Sequence, residues 1–515
     1  MTKQENLQSL SFGHRIAEEE TGELASYFVE TDQWRRILAG DIDVVYGSKG
    51  SGKSAIYAVL LQHRPRLFER NILIVGAENP RGTPAFKDLV VEPPASEAEF
   101  IGLWKLYLLT LIAGVFVENG IENDAAKDVV KTLRQANLVV ETNDLRKILR
   151  GVADYVRALA KLESVQGGVE LDPITGMIKG LTGKLTLREP SQANREAGIL
   201  TIDSLFAVAD RALQSEGFYV WVALDRLDVA FAEKTELEQN ALRDLFKVYI
   251  ELFAYDRIKL KIFLRSDIWK RITQAGFREA SHITKHVTIT WNPQTLMNLL
   301  IRRALKNKAL CEYYSVSETD VLRDHAQQIA LFQRVFPEKV DPGAKKPATF
   351  VWMLSRIRDG TRQAAPRELI HLISAARDAQ VRQLEVGKPE PTGECLFAGD
   401  CFKEALKEVS EVRLHQTLFA EYPQDKDWIL RLKGAKTQQT GKTLSAQWGV
   451  DEAQALRLAG ELVEIGFFEE RGTSDEPQFW VPFLYRDAAD LVQGSAEVDD
   501  NEENQGTFGE IISRR

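Results

Sequence analysis

Residues Gly47-Ser48-Lys49-Gly50-Ser51-Gly52-Lys53-Ser54 spell G-x-x-x-x-G-K-[ST] without deviation. Their types point to phosphate. Glycines let the backbone turn so that successive N–H groups face one point. A helix starting at the end of the loop adds partial positive charge there. The Lys53 ammonium can reach the β- and γ-phosphates, the Ser54 hydroxyl can ligate Mg2+, and Ala55 carries the loop into the helix. The expected ligands are ATP and Mg2+.

Such a loop needs a second acidic ligand on a nearby strand. Asp225 ends FYVWVALD, the most apolar strand candidate, and is expected to hold the magnesium directly or through water. Many P-loop ATPases place a glutamate next as the water-orienting base; here that position is Arg226. Asp228 is the candidate base instead, the alternative being that it caps the turn or pairs with Arg226. Arg265 ends the run LKIFLR. Carboxyl ends of parallel strands face the ligand crevice, which places Arg265 by the γ-phosphate; the plainer reading is an ion pair with Asp267. Pro366 can open a helix and so put Arg367 in its first turn. From there a guanidinium can close over phosphates, or it is an ordinary solvated arginine.

The elements that must position these groups alternate. Short apolar runs at 43–47, 72–77, 218–225, 260–265 and 286–291 are separated by stretches with helical spacing, which predicts a parallel sheet covered on both faces. The expected fold is an α/β P-loop NTPase with a parallel sheet, a helical insert, a helical lid subdomain and a C-terminal winged helix. The expected divisions are an N-terminal helical segment (1–40), the core (41–291) with its insert at about 96–200, the lid (292–394), the winged helix (395–487) and an acidic disordered tail (488–515). Within the insert, the glycine-rich piece 167–187 alternates like a hairpin.

The 515 residues are 44% hydrophobic and 27% charged, which excludes collagen-like, disordered and disulfide-framework classes. The net charge of −9 argues against a chain that wraps nucleic acid. Three cysteines and a polar N-terminus with no apolar core fit a reducing, cytoplasmic setting. None of the seven histidines has metal-ligand spacing. Residues 100–117 carry one charge, Lys105, and border on transmembrane length. Their acidic flanks lack the Lys/Arg that mark a cytoplasmic end, so a buried helix is expected and a membrane is not.

The third helix of the winged-helix segment carries Asp451, Glu452, Glu461 and Glu464 against Arg457. Four carboxylates oppose a field of phosphates, so a protein contact is expected there, and DNA is the less favoured partner.

The P-loop, the DRLD segment (Asp225 to Asp228), the Arg265 strand end, the PREL helix and the winged helix together resemble STAND-type P-loop ATPases, relatives of the origin-recognition branch of AAA+ proteins. The opening FG…AEEETGELASYFVET…W and the loop GSKGSGKSAIY also resemble a bacterial family of stand-alone P-loop ATPases linked with genome defence. That resemblance implies a slow ATP-driven switch, bound between sheet and lid, with Arg265 and Arg367 sensing the γ-phosphate. It implies a homo-oligomer, with Arg271 and Arg278 where relatives put an arginine finger, and a separate effector protein in an anti-phage system. The alternative is a DNA-binding, translocating or loading ATPase that uses the winged helix.

Overall fold

The computed structural model describes residues 2–14, 20, 22–77, 93–139, 144–166, 184–187, 192–196, 198–227, 235–473 and 476–496. They fall into two units, Met1–Glu338 with Ala365–Ala398, and Lys339–Ala364 with Gly399–Arg515.

The first unit is built on five strands: β1 (Val44–Gly47), β2 (Ile72–Gly76), β3 (Tyr219–Leu224), β4 (Ile258–Arg265) and β5 (His286–Thr288). All neighbours are parallel, in the order β2-β3-β4-β1-β5. Successive side chains of a strand point to opposite faces, and here both faces are apolar. Val44, Tyr46, Leu73, Val220, Val222, Leu260 and Ile262 belong to one core. Val45, Ile72, Ile74, Trp221, Ala223 and Phe263 belong to the other. That two-sided burial is why these strands read as continuous apolar runs rather than alternating ones.

Helix α1 (Lys53–Gln62) and the N-terminal segment pack on the second face. The first face carries α2 (Glu97–Glu118), α3 (Ile202–Glu216) and α4 (Thr235–Glu251). Helix α2 is long and apolar enough to cross a membrane, yet 83% of its most apolar window is buried inside the unit. Trp104 Nε1 donates to the Ala241 carbonyl at 2.9 Å, and the Tyr107 hydroxyl to that of Ala77 at 2.7 Å. Its one lysine, Lys105, sits 2.6 Å from Asp203 and 2.6 Å from Glu251. Burial opposes that charge, but the two carboxylates outweigh it and hold the ammonium above its ordinary value. The insert thus supplies the wall of the core. In its glycine-rich piece, Leu185–Thr186 pairs parallel with Leu200–Thr201; the hairpin expected over 167–187 falls mostly on 167–183, which lie outside the described residues.

The core has an alkaline limit. Burial pushes the Tyr155 phenol up to about 12 and raises those of Tyr46 and Tyr249 further. An unfolded tyrosine ionises near ~10, so between that pH and about 12 the native state holds protons that the unfolded chain has lost. Stability is therefore expected to be full below pH ~10 and to fall as pH rises through the folded values. Urea midpoints at stepped alkaline pH check this; tyrosinate absorbance should rise only with unfolding.

Other helices of the unit include α5 (Ser266–Gln274), which follows β4, and α6 (Pro293–Leu305), which starts on an Asn292–Thr295 capping box. Helix α7 (Pro366–Glu385) has Pro366 in its first turn. Residues 339–364, placed by sequence in the lid, cluster with the second unit, whereas 395–398 stay with the first.

The second unit holds β6 (Lys436–Thr440), β7 (Glu469–Gly472), β8 (Pro477–Trp480) and β9 (Val492–Ser495) in the order β9-β6-β8-β7. Helices α8 (Gly441–Trp448) and α9 (Glu452–Glu464) intervene, giving helix-turn-helix plus wing. On α9, Glu452, Glu461 and Glu464 are exposed, as is the capping Asp451, and Arg457 is held by Glu461 at 2.8 Å. Disorder expected from 488 onward is corrected for 492–495: that segment pairs parallel with β6, whose edge otherwise presents unpaired backbone groups. Residues 497–515 lie outside the described residues.

Candidate functional site

Strand β1 ends at Gly47 and α1 begins at Lys53, so the whole 47–54 loop hangs between two fixed elements. Gly50 (φ +79°) and Gly52 (φ +100°) adopt the left-handed conformation that only glycine enters freely. A Cβ on Gly50 would also come within 3.0 Å of Arg367 Cβ. No side chain caps α1, which leaves its first N–H groups to an anion. Lys53 Nζ donates to the carbonyls of Gly47 (2.9 Å) and Ser48 (3.0 Å), which curls the ammonium back over the loop. Lys49, Gly50, Gly52, Lys53, Ser54 and Ala55 line a cleft of about 280 Å³. Gly47, Ser48 and Ser51 do not line it; they hold its floor through their carbonyls.

Sheet register decides which other groups arrive. Strand β4 lies between β1 and β3, and Arg265 is the parallel partner of Gly47. Asp225 follows directly on β3, whose Leu224 pairs with Ile262. Arg265 and Asp225 therefore enter the same cleft, with Arg226 and Arg367. Asp225 is 2% exposed. The Asp267 carboxylate grips Arg265 twice, from Nε at 3.0 Å and Nη2 at 2.9 Å. The two readings of Arg265 are thus compatible: the ion pair orients a guanidinium that lines the cleft. Asp228 lies outside the described residues. Arg271 is engaged by the buried Glu238 at 2.8 Å, and neither it nor Arg278 lines the cleft.

The rest of the cleft is mostly apolar, with His14, Glu20, Thr31, Gln33 and Arg303 as its polar members. Leu24, Tyr27, Phe28 and Val29 come from the N-terminal segment, Ile289 and Trp291 from the end of the sheet, Leu299 from α6 and Ile370 from α7. One end thus offers cations and backbone donors, the other flat apolar surface, the chemistry of a nucleotide. The glycine cradle, the uncapped helix and the Lys53–Ser54–Asp225 set fit a magnesium-bound triphosphate.

Sequence reading missed three groups here. Trp291 Nε1 donates to the Ser51 carbonyl at 2.8 Å, tying the loop to the residue before the α6 cap. Tyr27 and Phe28 wall the apolar end. Glu20 and Arg303 form a buried ion pair at 2.8 Å, with Arg303 stacked 4.3 Å from the Tyr27 ring. Burial first, and then the neighbouring Glu20 carboxylate, raises the Tyr27 phenol far above its ordinary value. The aromatic pair was a visible signal; the ion pair spans 283 positions and had none.

Trp291→Phe keeps the ring and removes the donor. A neutral hydrogen bond contributes about 1 kcal/mol, so nucleotide affinity is expected to fall about fivefold with little change in fold. Calorimetric titration with a non-hydrolysable ATP analogue checks it.

No family model matches the chain, and no curated protein sequence matches it. Among solved structures it is similar to the ORC1 protein of Aeropyrum pernix in complex with DNA, at 11% identity and TM-score 0.36, covering 92% of this chain and 94% of that one. It is similar to the ORC2 protein of Aeropyrum pernix, in ADPNP–ADP complexes, at 14% identity and TM-score 0.38, with 92% and 91% covered. A Walker-type ATPase of Pyrococcus abyssi matches at 10% identity and TM-score 0.35, with 88% and 94% covered. Likeness at this level carries no function across, and what the chain does rests on its own cleft.

Proposed function

We propose that this chain is a magnesium-dependent ATPase that works as a molecular switch. One observation carries the reading: β1, β3 and β4 deliver Lys53, Ser54, Asp225 and Arg265 to a single cleft whose far end is apolar. Lys53 and the loop amides hold the phosphates, Ser54 and Asp225 hold the metal, and Asp228 is the base of our reading. Arg265 and Arg367 read the terminal phosphate. When bound, ATP supplies the chemistry: water adds to the terminal phosphorus, the bridging bond breaks, ADP leaves with the electron pair, and a base takes the water's proton. Buried carboxylate and cations in a narrow cleft act there with little competition from water.

The role as a slow sensor or regulator, oligomeric when loaded and acting on a separate effector in bacterial defence, is proposed from the sequence resemblance. The acidic exposed face of α9 supports protein rather than DNA as the partner of the winged helix. Phosphate release by the purified chain with ATP and Mg2+ is the test. No release and no calorimetric ATP binding would sink the reading. Tight duplex binding at physiological salt would replace the protein partner by DNA.

A further inference from the structure

We propose that Arg226 is a catalytic residue, a cation supplied from within the chain that contacts the terminal phosphate beside the metal-holding Asp225. The inference rests on the ATPase reading above and adds a residue to it.

The observation is a backbone one. Arg226 has φ +58°, in the left-handed region. Asn71, Asn137, Ser315, Arg362 and Asp490 share that conformation, but among these described residues Arg226 alone lines the cleft. An arginine has no short polar side chain to support the turn locally, so the conformation is a strained one. Strain of this kind persists where the surroundings impose it, and it gathers at reactive sites.

The consequence of the strain is directional. Residues that continue a strand alternate between its faces, so a straight exit from β3 would send Arg226 away from Asp225. The left-handed turn breaks the alternation, and both residues line the same cleft. Arg367 reaches in from α7, at the far side of Gly50. Arg226 is the one guanidinium borne by the same turn as Asp225, at the position where many P-loop ATPases carry an acid. A planar donor there can neutralise charge that develops on the terminal phosphate oxygens. The chain would then turn over without waiting for an arginine from a neighbouring subunit.

The test uses the full chain with Arg226→Gly, Arg226→Ala and Arg226→Lys. Glycine removes the guanidinium and also relieves the backbone, so this variant is expected to melt no lower than wild type. Its kcat should fall at least about 10²-fold. Its affinity for a non-hydrolysable ATP analogue should fall about tenfold while ADP binding is kept, because only the triphosphate presents the group that Arg226 contacts. The lysine variant should recover part of the rate. A glycine variant that keeps kcat within about threefold overturns the proposal, as does equal weakening of analogue and ADP. If wild type itself neither hydrolyses ATP nor binds the analogue, the ATPase reading fails and takes this inference with it. If wild type turns over and the glycine variant does too, this inference alone fails.

Discussion

Lys53→Ala is expected to lower phosphate release by roughly 10²- to 10³-fold, the range for removing one preorganised electrostatic group. The ammonium is the group best placed to follow charge onto the β- and γ-phosphates, and it sits over the carbonyls of Gly47 and Ser48. Those contacts lie within the loop, so the fold should survive the change. Arginine is no substitute, because a rigid fork cannot occupy a site shaped for a point charge. The check has two parts. ATP with Mg2+ at about 100 times its dissociation constant should stabilise wild type by about 2.7 kcal/mol, seen as a raised melting temperature. The variant should lose most of that gain while melting near wild type without nucleotide. Retained ligand stabilisation would show that Lys53 does not hold the phosphates.

The second large effect is on stability, away from the cleft. Lys261 on β4 and Asp43 beside β1 form an ion pair at 2.8 Å, with side chains 2% and 3% exposed. Lys261 also donates to the Ile42 carbonyl and lies 4.2 Å from the Trp221 ring centre, and the Tyr249 hydroxyl donates to Asp43. Burial pulls the lysine below its ordinary value despite Asp43, which shows that desolvation dominates there. Lys261→Ala leaves a carboxylate in the core and should cost about 3–5 kcal/mol, a large share of the ~5–15 kcal/mol of a typical domain. Replacing both partners, Asp43→Leu with Lys261→Met, should restore most of it, because two apolar groups leave no buried charge. Lys105 supplies the contrast. Its partners Asp203 and Glu251 are about half exposed, so Lys105→Met should cost no more than about 1 kcal/mol. Urea melts of the four proteins separate these outcomes; equal losses for Lys261→Ala and the double variant would mean that the pair is not what the core depends on.

Much of the cleft was legible because its signals are local. The 47–54 loop needs a short glycine pattern between an apolar run and a helix, and each part can be read within about 20 residues. The apolar runs of β2, β3 and β4 are visible for the same reason, being buried on both faces. Pro366 marks the start of α7 by its fixed φ. The apolar end of the cleft was not legible. Tyr27, Trp291, Leu299 and Ile370 come from four separated segments, and nothing in their spacing declares a common wall. Within 339–364 only the run 348–357 carries helical spacing, and spacing says which face is apolar but not what that face will meet.

The residue types that handle a phosphate, and the local turn that presents them, followed from the order of amino acids alone, since glycine, lysine and serine act through backbone freedom, charge and a hydroxyl that need no distant partner. The insertion of β4 between β1 and β3, the pairing of Arg265 with Gly47, the backward turn of Arg226 and the Glu20–Arg303 lock were decided only in three dimensions. Each depends on burial of apolar surface contributed by distant segments, and that driving force is non-directional in sequence.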